Sequence, residues 1–460
     1  MKATQQRTVS VSADAINARM ERLPMSGWQV KARIIVGAVT FFDGFDQLMI
    51  AYSLPDLPGS WGVLGNSWLT GWVIAVGGIG MLLGALGGGW LADRIGRLNV
   101  IQLALVIYAI TSLIMAFTHS LELFMSMRVI QGIGLGAEVP VAAAYIGEIA
   151  RTHKRGRFVL LYETIFPIGL VMSAIVSSWV VPRWGYEWLF VLGAVPVVLV
   201  PFLRRLPESP RWLAARGRLD DADESMTRIE NEVVTRYGKV LEAPRPTNPD
   251  AVVNVRARFT DLFEGVYLRR TLMLATIWLS AYFVNYGIAS WLPTLYRQYF
   301  GLSVGTALHY SIFTTLAGLV GCVLVAFLID NLGRRICIAG AMALCTLVLG
   351  LLAWFGTSTA VAVLGWSAAA ALLVFSVNMA LYVYTAELYP TRMRAMGAAF
   401  GGAAGRLGII VGPLSVGWIL TNGSLSWVFI TFAIIAGIGS IVVALFAQET
   451  KERTLEEISE

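Results

Sequence analysis

Apolar runs long enough to cross a bilayer recur along this chain with short polar breaks between them. A hydrocarbon core about 30 Å thick takes roughly 20 apolar residues in helical form. Runs of that kind lie at 34–54, 67–91, 99–117, 121–146, 158–181 and 186–204, then again at 270–296, 305–329, 336–356, 361–386, 395–420 and 425–447. The break between the sets, 205–268, is charged, contains prolines and is partly amphipathic. The pattern predicts an all-α membrane protein of 12 transmembrane helices (spans 1–12) in two six-helix bundles, 31–204 and 269–447. A polar segment (1–30) precedes them, a helical linker (205–268) joins them and a short tail (448–460) follows.

Composition agrees with lipid as the main solvent. Of 460 residues, 57% are hydrophobic and 14% charged, against roughly 25% charged in a soluble domain. A net charge of +6, scattered over the chain, is too small to point to nucleic acid. The first residues are polar with no apolar core, so no signal peptide is expected. Cys322, Cys337 and Cys345 sit in apolar segments without CxxC or Cys/His pairing, which argues against a disulfide framework or metal site. His119, His153 and His309 are isolated and read as surface or packing residues. No phosphate loop, nucleotide signature or catalytic constellation is present, so neither an enzyme nor a cofactor is expected.

Direction follows from Lys and Arg in the short loops. Lys31 and Arg33 precede span 1, Arg94 and Arg97 separate spans 2 and 3, and Arg151, Lys154, Arg155 and Arg157 separate spans 4 and 5. Arg334 and Arg335 lie between spans 8 and 9, and Arg392 and Arg394 between 10 and 11, while the alternate loops are nearly bare. Both termini are therefore expected in the cytoplasm, with the chain in the cell (inner) membrane.

The halves also repeat. Tyr145, Glu148 and Arg155 recur 239 residues later as Tyr384, Glu387 and Arg394, and Asp93, Gly96 and Arg97 recur 237 residues later as Asp330, Gly333 and Arg334. Loops of the same parity match, so the bundles are pseudo-symmetric with parallel topology. Carriers built this way bind substrate between the repeats near mid-membrane and rock one half against the other.

These motifs resemble the major facilitator superfamily over essentially the whole chain. Gly89-Trp-Leu-Ala-Asp93-Arg94-Ile-Gly96-Arg97 is its loop 2–3 signature. Arg128 with Gly132, Gly134 and Gly136, the Pro207-Glu208-Ser209-Pro210-Arg211 run and Glu449-Thr450-Lys451 are similar to its sugar-porter signatures. Span 7, however, reads Trp278-Leu-Ser-Ala-Tyr282-Phe-Val-Asn285-Tyr286-Gly287 and lacks the glutamine-rich stretch that binds sugar, and the second loop copy carries Ala326 where the first has Gly89. That span, Asp43-Gly-Phe-Asp46 and Gly405-Arg406-Leu-Gly408 resemble the branch of bacterial niacin (NiaP-type) transporters, aromatic-acid:proton symporters and animal organic-ion transporters.

A charge at the centre of a membrane helix costs about 2.5–3.5 kcal/mol even on the mild insertion scale, so the few present are the best functional candidates. At about 1.5 Å per residue, Asp46 lies roughly 20 Å up from Arg33, and Arg128 roughly 10 Å down from Leu121, so the two can pair. The resemblance assigns them to proton coupling; the alternative is a static ion pair. Asp43, on nearly the same face, is a second candidate. Glu138 and Glu163 fall in the inner half, with a structural or gating role weighed ahead of proton relay; Glu163 is retained as a coupling candidate.

Arg406 lies roughly 18 Å into span 11, on a glycine-rich run with no acid near it in sequence. Its permanently charged fork matches a carboxylate, which suggests an anionic ligand; the alternative is a bridge to Glu163 or Asp43. By resemblance, an arginine at this place contacts the anion in animal organic-anion carriers. Trp278, Tyr282, Asn285 and Tyr286 share a face of span 7, and Asn378 and Tyr382 one of span 10. They are candidates to sandwich and hydrogen-bond a flat ring, although aromatic stripes also simply pack. Asp93, Arg97, Glu148 and Arg155, mirrored by Asp330, Arg334, Glu387 and Arg394, are expected to form a cytoplasmic gate that the resemblance implies is closed in the outward-open state.

The expectation is a proton-coupled carrier for a small aromatic monocarboxylate, nicotinate first. A carrier of organic cations or neutral nicotinamide-like rings and a non-translocating receptor are the rivals. Partners would be the organic anion, protons and the bilayer, with the chain a monomer.

Overall fold

The computed structural model describes residues 12–150, 158, 162–243, 258–390 and 393–451. Among them are 11 helices long and apolar enough to cross a membrane, or 12 when the bent pair Gly27–Gln47 and Met49–Asp56, angled by 40°, counts as one span. Span 1 is that pair. Spans 2 to 6 are Ser67–Ile95, Arg97–Phe117, Leu121–Ile149, Ile165–Trp184 and Tyr186–Leu203. Spans 7 to 12 are Gly265–Gln298, Val304–Leu332, Arg334–Gly356, Ala360–Leu388, Arg394–Asn422 and Leu425–Phe446. Several helices run past the apolar stretch that marks them in sequence, because the last turns at the membrane surface are polar.

Close helix packing within the first half depends on glycine. A Cβ on Gly80 would strike the Val129 carbonyl oxygen, one on Gly84 that of Ile133, and one on Gly132 or Gly136 that of Gly77 or Met81. Spans 2 and 4 therefore meet backbone to backbone, which is how membrane helices gain packing energy without a hydrophobic driving force.

The two halves end on the same device. Gly96 (φ 103°) and Gly333 (φ 89°) close spans 2 and 8, and the next helix starts at once. A carboxylate then caps each new helix: Leu98 N–H donates to Glu208 at 3.0 Å, and Arg334 and Arg335 N–H donate to Glu449 at 2.9 and 3.1 Å. Tyr145 donates to the carbonyl of Pro207 at 2.9 Å and Tyr384 to that of Gln448 at 2.8 Å. The proline-flanked Glu208 motif and the Glu449 motif thus do one job, placing negative charge on a helix N-terminus. Burial pushes the Glu449 carboxyl up, but backbone N–H groups of Lys451, Arg334, Arg335 and Thr450 hold it below the usual carboxylate range.

On the same face, which carries the linker, the linker helices Pro210–Ala215 and Leu219–Thr235 join a helix at Ala13–Arg22. Arg19 and Arg22 both pair with Glu230 (2.8 and 2.7 Å), Arg19 also with Asp223, and Lys31 with Glu232 (2.7 Å). Burial raises Glu230, yet the two guanidinium groups hold it below its ordinary range.

The halves close on each other at the opposite face. A Cβ on Gly71 would lie 3.2 Å from the Pro413 carbonyl oxygen, and one on Gly417 2.6 Å from that of Ser67, so spans 2 and 11 touch there. Pro182 packs beside Gly305, and the Gln298 amide donates to the Leu64 carbonyl. No ion pair among the described residues crosses between the halves at the linker face.

Gly84→Leu should lower stability by about 1–3 kcal/mol or more through overpacking. Gly87→Leu, on the same helix with open space beside it, should change little. Melting temperatures of the two purified variants in one detergent would decide it, and equal shifts would refute glycine-mediated contact.

Candidate binding and coupling sites

Span 4 brings Arg128 to span 1. Arg128 Nη1 lies 3.6 Å from Asp46, and both side chains are buried. At that distance the pair is electrostatic rather than hydrogen-bonded, and Gln131 supplies the missing bonds. Its oxygen accepts from Arg128 at 2.6 Å, and its amide donates to Asp46 at 3.0 Å and to Ser112 at 2.7 Å. A Cβ on Gly77 would sit 2.9 Å from the Arg128 guanidinium, so span 2 leaves room for it. Gln131 was not singled out from the sequence; its place one turn after Arg128 was the available signal.

One turn below Asp46, Asp43 is buried and its carboxyl lies within hydrogen-bonding reach of Glu138, which is 1% exposed. Glu163, just before span 5, is within electrostatic reach of Glu138 and also of Tyr382 in the other half. It forms no ion pair with Arg406.

The second half presents a wall of rings. Trp278 stacks on Tyr282 (centroids 5.3 Å, 29°) and Tyr282 on Tyr286 (5.7 Å, 19°), while Tyr382 meets Trp278 edge-on at 5.1 Å. Trp278 Nε1 donates to Thr385 at 3.0 Å, and the hydroxyls of Tyr282 and Tyr382 lie 3.2 Å apart. The glycines of span 11 are the floor of this wall: Cβ atoms on Gly401 and Gly405 would meet Trp278 at 2.8 and 3.1 Å. Tyr382 remains 41% exposed.

Arg406 projects from that floor. Its Nη1 donates to the Gly402 carbonyl at 3.2 Å, its Nε is buried without a partner, and its electrostatic neighbours are the phenols of Tyr382, Tyr282 and Tyr286. No carboxylate among the described residues pairs with it. Asn285 is not part of this group. It lines a small recess with Thr314, Thr315, Ala371, Val374 and Phe375 between spans 7, 8 and 10. Asn378 is buried, with its Oδ1 unpartnered.

At the linker face Arg97 binds Asp93 (2.8 Å) and Glu148 (3.1 Å), and Arg334 binds Asp330 (3.0 Å) and Glu387 (2.9 Å). Each arginine also donates to a carbonyl of the preceding helix, Ala92 or Ile329. Each network lies within its own half. Arg155 falls outside the described residues.

Comparison with known proteins places these features in a family. The sugar (and other) transporter model matches residues 23–460. The chain is 32% identical to the niacin transporter NiaP of Acinetobacter baylyi, over 96% of this chain and 99% of that one. It is 31% identical to the putative niacin/nicotinamide transporter NiaP of Bacillus subtilis, over 92% and 96%. Its fold is similar to that of the xylose transporter XylE from E. coli in a partially occluded inward open conformation, with TM-score 0.71 and 20% identity over 93% and 100% of the chains.

Removing one partner of a buried ion pair costs about 3–5 kcal/mol, whereas neutralising both costs far less. Arg128→Met alone should therefore destabilise the protein strongly, and adding Asp46→Asn should recover most of the loss. A double variant that melts no higher than Arg128→Met would rule out charge imbalance as the cause.

Proposed function

Because the chain belongs to the sugar (and other) transporter family of the major facilitator superfamily, a multi-pass membrane carrier and not an enzyme, we propose that it moves a small aromatic monocarboxylate, nicotinate first, together with protons. The observation that carries the cargo is Arg406: a permanently charged fork with no acidic partner among the described residues, set beside stacked rings. A ring carboxylate supplies both the missing charge and the missing stacking partner. The likeness to two NiaP proteins supports the same substrate class. Trp278, Tyr286 and Tyr382 shape the ring site, and Asn378 and Asn285 supply polar contacts as spans 7 and 10 shift.

Coupling rests on Asp46 with Arg128, with Asp43 and Glu163 as further proton sites. Aspartate beside arginine stays ionised; separated from it in a dry bundle, it takes up a proton. Arg97 with Asp93 and Glu148, and Arg334 with Asp330 and Glu387, form the gate on the linker face, with Arg155 and Arg394 included on the repeat pattern. Their closure within single halves, together with the sealed opposite face, fits an inward-facing state. The linker face is then cytoplasmic, as the Lys and Arg bias requires, and the carrier works as a monomer.

A second reading, a neutral nicotinamide-like cargo, is favoured by the unpartnered Oδ1 of Asn378, which suits an amide N–H donor.

Binding of ring carboxylates and their amides to wild type and Arg406→Ala would test the cargo. Arg406→Ala should weaken the acid by about tenfold or more, since a charged hydrogen bond contributes about 1.5–3 kcal/mol, and leave the amide unchanged. Equal affinity for acid and amide in both proteins would discard the carboxylate anchor. Orientation is checked independently: a cysteine replacing Ser120 should react with an impermeant thiol reagent on intact cells, and one replacing Arg218 should react only after lysis. The reverse pattern would invert the topology.

A further inference from the structure

The Asp46 pair accounts for Arg128, but it leaves Asp43 and Glu138 unexplained. Glu138 is 1% exposed and Asp43 3% exposed, on spans 4 and 1. Both oxygens of Glu138 and Oδ2 of Asp43 are buried with no hydrogen-bond donor. Each carboxyl lies within hydrogen-bonding reach of the other. A carboxylate only accepts, so two ionised groups in this position would face each other without a donor and repel.

Among the described residues no cation intervenes. Arg128 is committed to Asp46 and Gln131, Lys31 to Glu232, and Arg33 lies over the Phe158 ring. Among the described residues, the other titratable groups around the pair are Asp46 on span 1, Tyr108 on span 3, and Tyr162 and Glu163 just before span 5. None carries positive charge, and Tyr162 is engaged with Thr40 at 2.5 Å.

Resting on the proton-coupled reading above, the geometry points to a second proton-binding site, in which the carboxyl groups of Asp43 and Glu138 hold one exchangeable proton between them, apart from the Asp46–Arg128 pair. With that proton in place, one carboxyl donates to the other, which satisfies two of the three buried oxygens and removes one of the two charges. The two acids then titrate as a unit rather than as separate residues, as like-charged carboxyls sharing a site do. Loss of the proton leaves two charges in a dry bundle, so release must accompany separation of spans 1 and 4 or entry of water. The site therefore responds to the same helix movement that would part Asp46 from Arg128, one turn away.

Infrared spectroscopy of the purified full-length protein in lipid reads the proton directly. Wild type at neutral pH should show the C=O stretch of a protonated carboxylic acid, shifted in heavy water. That band should disappear in Glu138→Gln and in Asp43→Asn, in which an amide donates to the remaining carboxylate, and persist in Glu138→Asp. Either amide variant alone suffices should the other fail to fold. A wild-type spectrum without the band, or a band unchanged in both amide variants, overturns the dyad. A band lost only in Asp46→Asn also overturns it, by placing the proton on the other pair. The underlying reading is tested apart from this: wild-type uptake in liposomes indifferent to an imposed pH gradient would end proton coupling, whatever the infrared result.

Discussion

A charge inside hydrocarbon has to be answered by something nearby, and the way each buried charge is answered organises this molecule. In the first half the buried arginine is answered from within. Arg128 on span 4 has the Asp46 carboxylate from span 1, while Gln131 links both to Ser112 on span 3, and Gly77 of span 2 stands clear. One ion pair and its glutamine thereby tie the inner faces of spans 1, 3 and 4 together, with span 2 making room for them. In the second half, among the described residues, the charge is answered only by a helix carbonyl and the dipoles of surrounding phenols. The two repeats differ here: one holds its own counter-ion, and in the other no carboxylate among the described residues pairs with the arginine.

Symmetry is strictest at the linker face and weakest toward mid-membrane. At the linker face, the glycine turn, the capping glutamate, the tyrosine that holds the capping segment and the arginine between two acids all occur twice. These parts fix the ends of spans 2–3 and 8–9, so each half can behave as a rigid unit. Toward mid-membrane the halves diverge, with carboxyls gathered in one and rings in the other. Rigid ends and dissimilar centres suit a machine that tilts as two blocks around a single asymmetric chamber.

The fold was legible because a bilayer imposes a length and a composition that few other environments demand. Twelve apolar runs and the repeated Asp93 and Glu148 motifs were enough to give the architecture, apart from the bend after Gln47 and the extra polar turns. Of the site, the charges were legible for the same reason: Asp46, Arg128 and Arg406 stand out against their surroundings. What sequence could not supply was who meets whom across helices. Gln131 is an ordinary polar residue until Arg128 and Asp46 are placed on either side of it. Glu138 looks like a helix-end acid until span 1 brings Asp43 against it. Asn285 shares a helical face with Tyr286 in projection, yet neighbouring spans 8 and 10 enclose it in a separate recess. The glycines of span 11 seemed merely to leave Arg406 unshielded; they are where the rings of span 7 lie down.

The unequal treatment of the two charges also suggests why cargo and movement are linked. On the proposed reading, closing the chamber around Arg406 without an anion would seal an unanswered guanidinium away from water, at a cost of several kcal/mol. Bringing in a carboxylate removes that cost, so the closed form is favoured only when cargo is present. A ligand shifts a conformational equilibrium by its differential affinity for the two states and by no more than that. Here the differential is built in, because the open state lets water serve the arginine and the closed state does not. On the same reading, protonated acids in the first half would work in the opposite sense: they would make closure easier by removing charge rather than pairing it. Cargo anion and proton would then lower the same barrier from opposite sides of the chamber, which is the physical content that the proposed coupling would have.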